Sequence, residues 1–188
     1  MAFVVVYDAC VLHPAALRDT LIRLALAGLV RARWSATILD EWERSVLRAV
    51  PDVDRSALRR TRELMIAAVP DSIVQDFEPL LEAFELPDPD DRHVAAAAVR
   101  AGAQAIVTFN LKDFPADKLA PHGLEALHPD DFILDLLDLD PGAVYGAVQR
   151  QSAALKNPRM SVVEVLARLE EQGLARSVAK LRDLFGFE

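Results

Sequence analysis

At 188 residues the chain can form one well-cored domain, or one domain with a small appendage. A hydrophobic fraction of 52% beside 27% charged residues excludes intrinsic disorder, and the single cysteine, Cys10, excludes an internal disulfide framework. The net charge of −8 argues against simple phosphate-backbone binding, which calls for basic surfaces, but not against a carboxylate site that holds a cation.

FVVVY (3–7) is a continuous β-branched run ending at Asp8, the signature of a strand buried on both faces in a parallel sheet. Cys10, just beyond it, is expected to be a buried structural thiol. Residues 14–29 predict a helix, with Pro14 at its start, Leu17, Leu21, Leu24 and Ala25 as its apolar stripe, and Gly28 at its end. ARW (32–34) fits a short strand or a turn. Ser35 is suited to cap a helix over 36–50, on which Ile38, Leu39, Trp42, Val46 and Val50 share one side. An arginine-rich helix follows at 54–68, then a turn at Pro70-Asp71 and a helix over 76–86. LPDPDD (86–91) is a loop leading into an alanine-rich helix (92–103), a second buried strand AIVTF (105–109) and a turn NLKDFP (110–115). A short strand near 124–127 and a helix over 128–139, opening on acidic residues, complete this part.

This order predicts a three-layer α/β/α sandwich around a central parallel sheet over residues 1–138. LDPG (139–142) reads as a boundary, and residues 141–188 as a small all-helical extension with helices near 143–156, 162–172 and 174–185. Ser161 and Glu164 fit a capping box there, and Gly173 a helix stop. The two parts differ in charge: 14 Lys+Arg against 24 Asp+Glu in residues 1–140 (−10), and 7 against 5 in residues 141–188 (+2). No apolar stretch approaches the roughly 20 residues of a membrane span, and MAFVVVYDAC lacks a signal-peptide layout, so a cytoplasmic protein is expected.

The carboxylates gain meaning from their positions. Asp8 follows the first buried strand, and Asn110 and Asp113 follow the second; ligands of open α/β sheets bind at the carboxyl ends of strands. Asp91 opens the alanine-rich helix, where it is either a cap or, if Asp88 or Asp90 does the capping, free to face those strand ends. Glu41 shares a helix face with Arg44 and Arg48, at i, i+3 and i+7, which is either a solvated face or a carboxylate beside two phosphate-binding arginines. Widely separated acids converging at strand ends suit Mg2+ or Mn2+, which take oxygen ligands and, singly or in pairs, activate water against a phosphodiester. No P-loop, nucleophile elbow, GxGxxG or CxxC pattern is present, and a haloacid-dehalogenase-type site is disfavoured because Cys10 stands two residues after Asp8 where a second Asp is needed. His13, His93, His122 and His128 lack metal-ligand spacing; His93 is read as a helix residue near the site and not as a ligand.

Asp8 after FVVVY, SATILDE ending at Glu41, DRHVAAAA from Asp91 and IVTFNLKDF around Asn110 resemble the four acidic blocks of PIN domains, in order and spacing, across about residues 1–135. The likeness is to VapC-type ribonuclease toxins of type II toxin–antitoxin systems, in the subgroup with a helical C-terminal extension. The resemblance implies a Mg2+- or Mn2+-dependent endoribonuclease, with Asp8, Glu41 and Asp91 as metal carboxylates and Thr108 as the small hydroxyl residue that orders the site. Asn110 departs from the all-acidic pattern, and Asp113 is the candidate to supply the missing charge. Arg44 and Arg48 are the candidate substrate contacts, with Arg55, Arg59 and Arg62 beyond them. The expected partners are an RNA substrate, a cognate antitoxin and a second copy in a homodimer. The alternative is a non-catalytic PIN-like module that binds RNA or protein.

Overall fold

The computed structural model describes residues 3–187. Five parallel strands form one sheet in the order β3-β2-β1-β4-β5: β1 (Phe3–Tyr7), β2 (Val30–Ser35), β3 (Ile73–Val74), β4 (Ala105–Val107) and β5 (Glu125–Leu127). The central strands carry the most apolar runs. Val5, Val6 and Tyr7 of β1 and Ala105, Ile106 and Val107 of β4 are fully buried, as strands covered on both faces must be.

Chain direction on this sheet decides where a ligand can sit. From β1 the chain moves outward through β2 to β3, then returns across the sheet to β4 and β5 on the other side of β1. Right-handed crossovers therefore put the helices of the two halves on opposite faces, and the carboxyl ends of β1 and β4 part at a topological switch point.

Helices α1 (Ala9–Leu12), α2 (Ala15–Leu26), α3 (Ala36–Ala49) and α4 (Arg55–Ala68) belong to the outward half. Ser35 Oγ accepts from the Ile38 N–H (3.1 Å) and starts α3, as the sequence implied. Asp54 caps α4 in the same way. α5 (Arg92–Arg100) covers the opposite face, packing on β1, β2 and β4 with Val94 to Ala98 all buried. Alanine suits this position because its small side chain lets the helix lie close to three strands.

A short α6 (Ala116–Leu119) precedes β5, and α7 (Pro129–Leu139), α8 (Pro141–Ala154), α9 (Val162–Glu171) and α10 (Ala175–Phe185) follow it. Tyr7 links these helices to the sheet: its ring packs on Trp34 and edge-on to Phe132 of α7, and its hydroxyl donates to the Leu21 carbonyl of α2. Two glutamines clasp α2. Gln151 of α8 donates to the Ala16 carbonyl (2.9 Å) and accepts from the Thr20 hydroxyl (2.6 Å), and Gln172 accepts from the Leu17 N–H (3.0 Å), an otherwise free first-turn donor. The Ser161–Glu164 capping box is present, and Gly173 ends α9 at φ 95°. Among the described residues no helix is long and apolar enough to cross a membrane.

Several local expectations need correction. The segment 76–86 is not an α-helix but a 3-10 stretch (Glu78–Ala83), with i→i+3 bonds from Leu80 N to Phe77 O and Phe84 N to Leu81 O. It runs between the buried rings of Phe77 and Phe84. ARW lies inside a six-residue strand, β2, and is no turn. α1 and the two-residue β3 carry too few residues to show a period. Val50 falls past the end of α3 and is exposed, so it does not extend the apolar side. Cys10 is half-buried and not a core thiol.

Candidate active site

Asp8 is the first residue past β1. Its N–H donates to the Val107 carbonyl (3.1 Å), which carries the β1–β4 pairing one step beyond the strand and fixes its backbone. The side chain is 6% exposed, and a single oxygen, Oδ2, accepts from the Thr108 hydroxyl (2.7 Å) and the Cys10 thiol (3.0 Å). Thr108 Oγ1 in turn accepts from the Asn110 N–H (3.0 Å), and Cys10 Sγ from the Phe109 N–H (3.3 Å). One threonine and one cysteine thus tie the end of β1 to the turn after β4. Burial, and then the neighbouring Asp8 charge, pushes the Cys10 thiol up to about 12, so it stays protonated and donates.

Asp91 arrives from the other face. Asp88 takes the capping role, accepting from the Asp90 N–H (2.9 Å) at the start of a 3-10 turn (Pro89–Asp91), while Asp91 makes no capping bond. Its Oδ2 is buried without a hydrogen-bond partner. Burial pushes the carboxyl up to about 7, reinforced by the charges of Asp8, Asp88, Asp113 and Glu41. Oxygens of Asp88, Asp91 and Asp113 lie within 4.8 Å of one another.

Glu41 stands on α3 at the border of the face that buries Ile38, Leu39 and Trp42. Its Oε1 is 3.0 Å from Nε2 of His93 in the first turn of α5. After β4, a 3-10 turn (Leu111–Asp113) brings Asp113 back to Asn110, whose Nδ2 donates to Asp113 Oδ2.

These elements enclose a cavity of about 410 Å³ lined by Asp8, Glu41, Asp91 and Asn110, with Arg44, Ser45 and Arg48 along one side. Arg44 and Arg48 enter no ion pair among the described residues, whereas Arg62 pairs with Asp40 and Glu43. Arg55 and Arg59 lie on α4, outside the lining. Thr108 is fully buried and meets the site through Asp8. Asp113 stands behind Asn110 and beside Asp91, not in the lining.

The arrangement fits a divalent cation. The donors facing the cavity are oxygen-rich, Asp91 keeps an unpartnered buried oxygen, and carboxylates that repel one another gain from a central positive charge. Sequence reasoning treated Asp88 only as a cap and missed its closeness to Asp91 and Asp113. It also missed the grip of Cys10 on Asp8 and of His93 on Glu41. The DPDD run held the signal for Asp88, but a capping aspartate and a clustered one look alike in sequence.

A doubly wound sheet with acids gathered at its switch point defines a class of α/β proteins that bind cations or phosphates at one edge. Comparison with known proteins narrows this. The PIN domain family model matches residues 4–112, and the VapC50 C-terminal domain model matches residues 129–183. The chain belongs to the PIN-domain family. It is 47% identical over 95 residues to a Mycobacterium tuberculosis protein described as "Putative ribonuclease VapC50", a match covering 50% of this chain and 56% of that protein. No solved structure matches.

Proposed function

We propose that this PIN-domain protein is a Mg2+- or Mn2+-dependent endoribonuclease and the toxin of a toxin–antitoxin pair, working in the cytoplasm. The observation that carries the reading is the meeting of Asp8, Glu41, Asp91 and Asn110 from four chain segments around one cavity that is also lined by Arg44 and Arg48. The description of the relative as a ribonuclease supports it.

Asp8, Glu41 and Asp91 would hold the cation, with the fourth corner supplied by Asn110 directly or by Asp113 behind it. A bound divalent ion supplies Lewis acidity and an activated water. The protein does the rest. Thr108 and Cys10 occupy one Asp8 oxygen and keep the carboxylate from turning. Arg44 and Arg48, one helical turn apart and about 6 Å along the axis, are spaced to grip phosphate oxygens of an RNA strand bidentately. They also offset the repulsion between an acidic cavity and a polyanion.

The acidity of residues 1–140 supports an antitoxin that inserts a basic side chain into the same cavity, since a preorganised anionic pocket favours such a group. A homodimer is part of the proposal. So is a division into a nuclease body (1–138) and a helical extension (141–188) that clasps α2 through Gln151 and Gln172 and supplies no metal ligand.

The test is RNA cleavage by purified protein. Cleavage should require Mg2+ or Mn2+, stop with EDTA, and fall by at least about 100-fold in Asp8→Asn. Full activity in Asp8→Asn would overturn the metal-dependent mechanism built on Asp8, and no cleavage by the natural protein with either ion would overturn the proposal in favour of a non-catalytic binding module.

A further inference from the structure

Each acid around the cavity has to be held at a defined angle, and the means differ. Asp8 is short, buried and pinned by two donors. Glu41 is longer, carries three side-chain torsions and projects from a helix face, so free it would sample several rotamers. Its side chain is 29% exposed. Among the described residues its one hydrogen-bond partner is Nε2 of His93, 52 residues away in sequence and on the opposite face of the sheet.

The His93 side chain is only 11% exposed, and its Nδ1 is buried without a partner. An ionised carboxylate can only accept, so the proton between the two groups sits on Nε2. The imidazole therefore points a donor at Glu41, while its other nitrogen, Nδ1, is buried with no partner. A histidine placed merely to pack would gain more from satisfying both nitrogens, because a buried polar atom without a partner is destabilising.

We infer that His93 is a positioning residue: its Nε2–H fixes Oε1 of Glu41 and so reserves the other oxygen, Oε2, for a cation in the cavity. This rests on the reading of Glu41 as a metal carboxylate. It gives α5 a double task, since the same helix start carries Asp91, two residues before His93. The pair Asp91–His93 sets one ligand directly and a second through a hydrogen bond across the site. Hydrogen-bond partners of metal ligands of this kind typically tune affinity by 10–100-fold.

The two amide analogues of histidine separate positioning from packing. Glutamine places its amide nitrogen near the position of Nε2, asparagine near that of Nδ1. Mn2+ binding to the full chain, without RNA, is measured by calorimetry for the natural protein, His93→Gln, His93→Asn, Glu41→Gln and the His93→Asn/Glu41→Gln double variant. His93→Asn should weaken binding about 10-fold, His93→Gln should stay within about 3-fold of the natural protein, and the double variant should bind no more weakly than Glu41→Gln alone.

Natural affinity in His93→Asn with a clear loss in Glu41→Gln would overturn the inference and leave the metal reading standing. Equal weakening in His93→Gln and His93→Asn would also overturn it, because ring packing would then be the cause. Natural affinity in Glu41→Gln would remove Glu41 from the ligand set, and the inference with it. A second measurement covers the case in which His93→Asn does not fold. Long-range 1H–15N spectra of the natural protein should show the Nε2–H tautomer at His93, with its signal shifted by Mg2+; an Nδ1–H tautomer would refute the assignment.

Discussion

Acidic residues are treated in opposite ways at the sheet edge and in the helices that follow β5. In α7, Asp130 is 5% exposed and both its oxygens are used: Oδ1 accepts from the Ser177 N–H (2.8 Å) and Oδ2 from the Arg176 N–H (3.1 Å), capping α10. Its neighbours Asp131 and Asp138 pair with Arg176 and Lys180 of the same helix. Every one of these charges has a partner, so they serve the docking of α10 on α7. At the edge of β1 and β4 the acids face one another. Asp91 retains a buried oxygen with no partner, and its carboxyl is pushed up to about 7 by burial and four neighbouring acids. Burial alone does not separate the two regions. Satisfied hydrogen-bonding capacity does, and a carboxylate left unsatisfied among like charges marks a place that something else completes.

The largest test of this contrast is Asp130→Ala. It removes two bonds to the first-turn amides of α10 and leaves the Ser177 donor buried, so unfolding free energy should fall by about 2–3 kcal/mol. Mn2+ affinity should be unchanged, because Asp130 takes no part in the site. A stable Asp130→Ala protein with impaired Mn2+ binding would break the contrast.

Asp91→Asn should do the reverse. The folded-state value of Asp91, about 7, lies above its unfolded value of about 4, so the unfolded chain gives up the proton first and the folded protein loses stability as pH rises from about 4 through 7. An amide does not titrate. Without metal the variant should therefore match the natural protein near pH 4 and exceed it above pH 7. The gain should be on the order of 1–2 kcal/mol after discounting for solvent screening around a half-buried group. Thermal melting in EDTA at pH 4, 6 and 8 measures this. Added Mg2+ should then stabilise the natural protein more than the variant.

The smallest effect belongs to the surface pairs. Lys180→Ala breaks an ion pair with the exposed Asp138 and should cost under about 1 kcal/mol, less at high salt. A larger loss would mean that the α7–α10 contact depends on charge more than on its buried Val178 and Leu181.

Much of the fold was legible because its signals are local. FVVVY and AIVTF announce central strands by composition alone. Ser35, Ser161 with Glu164, and Gly28 and Gly173 mark helix ends because capping chemistry acts over three or four residues. The 3-10 stretch at 78–83 and the strand at 73–74 were not legible, because each is held by contacts with distant elements: rings packed against the core in one case, pairing with Trp34 and Ser35 in the other. The site divides along the same line. Asp8 and Asn110 could be placed at strand ends from their position after apolar runs, whereas Glu41 and Asp91 were each as compatible with a solvated face or a cap.

The sequence by itself determined the parallel α/β character, the capped helix starts at Ser35 and Ser161 and which acids stand at strand ends, since these follow from periodicity and capping within a few residues. Tertiary structure alone decided that Asp88 would cap and free Asp91, that Thr108 and Cys10 would share one oxygen of Asp8, and that His93 would meet Glu41. Those outcomes join residues up to 100 positions apart, and they exist only once the sheet has brought the ends of β1 and β4 together and laid α3 and α5 against that edge.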